Sequence, residues 1–255
     1  IADELEITVD RIKVVPYNTD DVPFDTGVGG SRGSYVISEA SLLASNDLKL
    51  NLKKLASEYK GWDEDIVEFS EGSLVNQRTQ EVISMEEIAE RSGGFVEGKG
   101  DLQDMTPNKY TSFVAQVAEV QVDIETGNVD IKLITAVHDT SKIINPVGFN
   151  SQLEGGMVGA FGYAVMEDLS VDESGRVANP SFADFKIPTE RDIPPLKVAL
   201  VKTSEGRGQY KVKGIGEHSN LATAPAIANA IKDAIDVRLF SLPFTSEKLL
   251  NQINK

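Results

Sequence analysis

Cysteine is absent from all 255 residues. The chain can therefore make no disulfide, no thiolate zinc site and no iron–sulfur cluster of its own. Histidine is nearly as scarce: His138 and His218 are the two present, too few and too far apart in the sequence for a conventional metal centre. No apolar run reaches bilayer length and no signal-peptide pattern opens the chain, so neither a membrane partner nor secretion is expected, and a cytoplasmic location is the default. Positive charge is also short. With 25 Lys and Arg against 40 Asp and Glu, the net charge is -15 and the sequence pI is about 4.6. That balance argues against nucleic acid or an anionic membrane surface as a partner. Redox chemistry, if the chain takes part in any, needs a cofactor or electron carriers on another chain.

What is present supports a large core or two small ones, with 40% hydrophobic residues. The pattern reads as α+β, with mixed sheets and packed helices in two subdomains, residues 1–104 and 105–255. Residues 1–5 read as the tail of a helix with no methionine before it, as in a fragment or a processed chain. Residues 12–17 alternate like a strand, and 18–21 read as a turn. A long helix is expected over 35–59, then a hairpin turning at Glu71-Gly72. Ser84 and Glu87 form a capping box for a short helix. Alternating residues over 113–123 and 129–136 predict a long antiparallel hairpin. Residues 151–162, rich in glycine and small side chains, read as a helix packed against another backbone or a ligand. A further hairpin is expected at 172–175.

Two stretches carry possible chemistry. Gly27-Val28-Gly29-Gly30-Ser31-Arg32-Gly33-Ser34 precedes the long helix. Its free amides, hydroxyls and guanidinium fit an anion site at a helix start, and its composition also fits a flexible linker. The other stretch is Lys213-Gly214-Ile215-Gly216-Glu217-His218. Alternate glycines leave the backbone permissive there, and Glu217 is presented from this loop ahead of a helix over 224–235. Thr223 is the expected N-cap of that helix, with Pro225 in its first turn. A glutamate in such a turn is ordinarily just solvated.

The string from Lys213 to Leu249 resembles the C-terminal end of the molybdenum-binding subunit of the xanthine dehydrogenase, or molybdenum hydroxylase, family. The resemblance rests on the Lys-Gly-x-Gly-Glu stretch, on Ala224-Pro225-Ala226-Ile227-Ala228-Asn229-Ala230 and on Leu242-Pro243-Phe244-Thr245. It continues upstream through Asn145-Pro146 and the Ser151-Gln152-Leu153-Glu154-Gly155 run, where Ser151 replaces the usual glycine. His138-Asp139, 186–189 and 192–195 also match; His138, Asp139 and Glu154 are read as structural.

The resemblance implies a fold like the second molybdenum-binding domain of that family and a molybdenum–molybdopterin cofactor, the cytosine dinucleotide form included. It implies that the Gly29, Gly30, Ser31, Arg32, Gly33 and Ser34 loop lies against this cofactor. The Gly30 backbone would face an oxygen ligand of the metal, no side chain would ligate molybdenum directly, and Gln152 would reach the pterin. Glu217 would be the general base in hydroxylation of an N-heterocycle (purine or nicotinate type) or an aldehyde, with water as oxygen source. Shielding from water would raise its carboxyl toward neutral pH. FAD and iron–sulfur clusters are expected on partner chains. The first molybdenum domain is expected on another segment or chain, and the protein is expected to be an oligomer. The alternative is a non-catalytic domain that binds partner subunits.

Overall fold

The computed structural model describes residues 1–15, 18–20, 22, 24–25, 27–102, 110–207 and 210–254. It divides into two compact units: Ile1–Gly29 with Gly33–Pro107, and Gly30–Arg32 with Asn108–Lys255. The expected boundary between 104 and 105 lies outside the described residues.

The first unit is built on α2 (Gly33–Lys60), which follows the short α1 (Ala2–Leu5). Beyond α2, β1 (Val67–Ser70), β2 (Ser73–Asn76) and β3 (Val82–Ser84) form an antiparallel meander, and α3 (Met85–Arg91) follows. The β1–β2 turn places Glu71 and Gly72 at positive φ, 47° and 72°, the twist that a two-residue hairpin favours. Ser84 caps α3, its hydroxyl accepting the Glu87 amide at 3.1 Å. Leu52 and Ala56 of α2 meet Val67, Leu74, Ile83 and Ile88 in one buried core.

The second unit holds β4 (Val114–Val122), β5 (Val129–Thr140), α4 (Pro146–Val165) and β6 (Leu196–Lys202). α5 (His218–Leu221), α6 (Thr223–Ile235) and α7 (Ser246–Ile253) follow. Its sheet is mixed: β5 lies between antiparallel β4 and parallel β6. The Asp123 carboxylate holds the β4–β5 turn by accepting the Glu125 and Thr126 amides at 2.9 and 3.2 Å. Asn145 caps α4 through the Gly148 amide, with Pro146 in the first turn. Ile134 and Ala136 of β5 pack with Met157, Phe161 and Ala164 of α4 and with Ile227 and Ile231 of α6. Fully burying each of the larger of these side chains stabilises by about 1.5–3 kcal/mol.

Two expectations change. Residues 12–15 form no strand; Val14 and Val15 are exposed with no sheet over them, and positions 16, 17 and 21 lie outside the described residues. The hairpin expected at 172–175 does turn there, closed by a single antiparallel bridge, Val171 to Val177. Thr223 does not cap α6: it is the first helical residue, behind Ala222. Its buried hydroxyl lies 2.6 Å from Gln116 Oε1 and 3.1 Å from the Ser219 carbonyl. A buried hydroxyl must find a partner, and here β4 and α5 supply it.

His138 sits within β5 at 1% exposure, and its Nε2 has no hydrogen-bond partner among the described residues. Burial holds its imidazole below the ordinary 6.5, nearby His218 adds to the lowering and Asp139 opposes it. The unfolded chain therefore takes up a proton that the folded chain refuses. Stability should be full above pH ~6.5 and should fall as pH drops from there toward the depressed folded value. The slope per group is at most about 1.4 kcal/mol per pH unit. Denaturant titrations between pH 7.5 and 5 should show this loss, and His138→Phe should flatten it. An unchanged slope in that variant would assign the proton to another group.

Candidate functional site

The stretch leading to Glu217 is anchored before it turns. Val212 exchanges both backbone hydrogen bonds with Arg207 at 3.0 Å. Lys213 follows with its side chain out of water, its ammonium 2.7 Å from Asp139 Oδ2. Gly214 is buried and Gly216 exposed.

These glycines are there for space. A Cβ on Gly214 would collide with the Ser31 carbonyl oxygen, and one on Gly216 would come within 2.9 Å of Ser31 Oγ. The loop is thus closely packed where the sequence predicts only permissive backbone. Gly30 and Ser31 both have positive φ, 71° and 56°. That is natural for glycine and costly for serine, so the serine is held there by its surroundings.

With Ser31 so placed, its hydroxyl donates to Glu217 Oε2 at 2.8 Å. Gln152, on α4, donates its side-chain amide to the Gly216 carbonyl at 2.7 Å. Three residues singled out in the sequence, Ser31, Gln152 and Glu217, therefore converge within the second unit. Glu217 is the residue before α5, and its carboxylate makes no cap to that helix. It is committed to Ser31.

The C-terminal side of the loop is equally fixed. Ser219 is fully buried; its carbonyl accepts Gln116 Nε2 at 2.6 Å and its hydroxyl donates to the Gln152 carbonyl at 3.3 Å. Tyr163 of α4 donates to the Asn220 carbonyl at 2.8 Å. A Cβ on Gly156 would strike Ser219 Oγ, so that glycine lets α5 sit against α4. The close approach expected for the small-residue helix is to the Ser219 side chain of α5.

Glu217 itself is exposed. The shielding from water expected of it is not supplied by the described residues. His218 beside it is partly buried, and burial lowers its imidazole below 6.5; Asp139 and Glu217 oppose that shift and Lys213 adds to it. Near neutral pH the imidazole beside Glu217 is therefore uncharged.

Among the other loop residues, Arg32 belongs with Gly30 and Ser31 to the second unit, whereas Gly29, Gly33 and Ser34 belong to the first. Gly33 opens α2, where a Cβ would press within 2.9 Å of Val28 Cγ1, and the Ser34 carbonyl accepts the Ser38 hydroxyl at 2.6 Å. Around Gly29 and Gly30 an added Cβ would meet no atom within 4 Å, so this backbone is open to an approaching group. Sequence reasoning missed the part played by Gln116. The signal was there: it is polar and lies on the inward alternation of β4 with Ala118 and Val120.

Residues 1–194 match the model of the molybdopterin cofactor-binding domain. Over its whole length the chain is 31% identical to the putative xanthine dehydrogenase molybdenum-binding subunit XdhA of Escherichia coli (strain K12), covering 35% of that protein. It is 28% identical to the aldehyde oxidoreductase molybdenum-binding subunit PaoC of the same strain, over 91% of this chain and 31% of the relative. The chain thus spans about a third of the length of the curated relatives it matches. Among solved structures, CO dehydrogenase from Oligotropha carboxidovorans superposes with a TM-score of 0.83 at 25% identity, over 99% of this chain and 33% of that one. The match to the family model covers most of the chain, and the chain belongs to the molybdopterin cofactor-binding domain family.

Proposed function

We propose that this chain forms part of the molybdopterin-binding catalytic subunit of a xanthine dehydrogenase-like molybdenum hydroxylase, in which Glu217 is the general base. The observation that carries this reading is the convergence of Ser31, Gln152 and Glu217, joined by hydrogen bonds of 2.8 and 2.7 Å. The family membership supplies the cofactor class. The substrate class follows from the xanthine dehydrogenase and aldehyde oxidoreductase relatives: an N-heterocycle of purine or nicotinate type, or an aldehyde.

The residues fit the cofactor. Among the described residues no three His, Cys, Asp or Glu side chains converge on one point. The second unit offers instead an open backbone at Gly30, the Ser31 hydroxyl, the Arg32 guanidinium and the exposed Gln152. Backbone, hydroxyl, amide and guanidinium groups suit a polar organic cofactor better than a bare cation. The Gly30 backbone and Gln152 would hold the molybdopterin, with Ser31 and Arg32 beside it. When bound, the cofactor supplies the two-electron oxidant. The overall change replaces a substrate C–H by C–OH with oxygen from water, releasing two protons and two electrons. The electrons would leave through iron–sulfur clusters and FAD on partner chains, since this chain has no cysteine to ligate a cluster.

Glu217 would accept one of those protons at its carboxylate. The Ser31 hydroxyl orients it through Oε2, and Gln152 fixes the carbonyl just before it. Substrate and neighbouring domains would supply the shielding that the exposed carboxylate lacks. A second reading, a domain that binds partner subunits without doing chemistry, draws on apolar exposure: within the second unit Phe113, Phe182 and Phe240 are 67%, 78% and 94% exposed.

Glu217→Gln in the cofactor-loaded enzyme should lower kcat by about 10²–10⁴-fold with molybdenum and pterin content near wild type. Wild-type turnover in that variant would remove the assignment. Gly30→Val should act on loading instead, because valine at φ 71° is strained and adds bulk to the open face. Metal analysis should show lower molybdenum per chain, and normal loading would return the loop to the linker reading.

A further inference from the structure

Lys213 and Asp139 form a buried ion pair, their side chains 1% and 11% exposed. Removing two charges from water is costly, and an apolar pair of similar volume usually holds a fold as well or better. Stability alone is thus a poor account of this pair; its directional bonds offer another. Asp139 Oδ2 accepts the Lys213 ammonium at 2.7 Å, and Oδ1 accepts the Phe113 amide at 2.9 Å. The same ammonium lies 3.4 Å from the Thr111 carbonyl and 5.7 Å from the centre of the Tyr110 ring. Three segments are pinned together: residues 110–113, the end of β5 and the start of the Glu217 loop.

Between Lys213 and Glu217 stand Gly214, Ile215 and Gly216. Two glycines in three residues give the backbone wide freedom unless both ends are held. The far end is held by buried Ser219 through Gln116 and Gln152. The near end is held by the ion pair. We propose that the Lys213–Asp139 pair is a positioning element that fixes the start of the loop, so that the Glu217 carboxylate meets Ser31 in one arrangement. This rests on Glu217 being the general base. Lys213 and Asp139 do not themselves touch the reacting atoms.

The test is the double variant Lys213→Met/Asp139→Asn in the cofactor-loaded enzyme, with Glu217→Gln and Lys213→Arg alongside. The double variant removes both charges, leaving neither unpaired. Near-wild-type Tm and molybdenum content are expected, with kcat lower by about 10–100-fold and KM little changed, because a small misplacement of a reacting group costs rate. Amide hydrogen exchange over residues 213–220 should quicken in the double variant, a readout that needs no turnover. Lys213→Arg, which retains the charge pair, should keep more turnover than the double variant and slower exchange. Wild-type kcat in the double variant, unchanged exchange, or an arginine variant no better than the double would overturn the positioning role. Loss of molybdenum from the double variant would overturn it too, by making the pair part of the fold or of cofactor retention. If Glu217→Gln kept full turnover, the base assignment would fail, and exchange would still decide whether the pair fixes the loop. If Glu217→Gln were inactive while the double variant was fully active, the positioning role alone would fail.

Discussion

Contact between Ser31 and the backbone of Gly214 and Gly216 is the constraint on which the candidate site depends. Ser31 reaches Glu217 only because two positions of the loop carry no side chain. Any larger residue at Gly214 would push the serine carbonyl away and separate the hydroxyl from the carboxylate. The price is a serine in the left-handed region, at φ 56°, which surrounding structure must maintain. Fixing it places a hydroxyl, a carboxylate and the Gln152 amide within one hydrogen-bonded group.

The second unit achieves this by stiffness on either side of a permissive segment. Upstream, Lys213 is tied to the sheet through Asp139. Downstream, α5 is seated on α4 because Gly156 leaves room for Ser219. α4 in turn is held by Leu153, Met157 and Ala160, each fully buried. The core thus sets where Gln152 stands, and Gln152 sets where the Gly216 carbonyl stands. Packing of this kind transmits a one-residue change in the core to the carboxylate, since close-packed interiors have little slack.

Much of this was legible locally. Ser84 and Glu87 announce a helix start, Glu71-Gly72 a hairpin, and the alternation on either side of Asp123 a long two-stranded ribbon, because each is settled by neighbours in sequence. Gly30, Gln152 and Glu217 were legible as motifs. Their meeting was not: Ser31 and Glu217 are 186 residues apart, and no periodicity reports a contact at that distance. The parallel placement of β6 beside β5 is hidden for the same reason. Thr223 misled because threonine before a helix usually caps it, whereas here α5 comes immediately before and buries the hydroxyl. Residues 12–15 misled because alternation describes a strand only where a sheet stands ready to cover it. The exposure of Glu217 is likewise invisible to a motif.

In the proposed function Glu217, bonded to Ser31 through its carboxylate, faces the reacting centre of a molybdopterin enzyme. The direct measurement is anomalous scattering at the molybdenum edge from crystals of the cofactor-loaded enzyme containing this chain. The metal should lie beside the Gly30 backbone, with one of its ligands or the substrate within hydrogen-bonding reach of the Glu217 carboxylate and the pterin against Gln152. A metal position remote from Glu217, with Ser31 and Gln152 still bonded as here, would rule out Glu217 as the base.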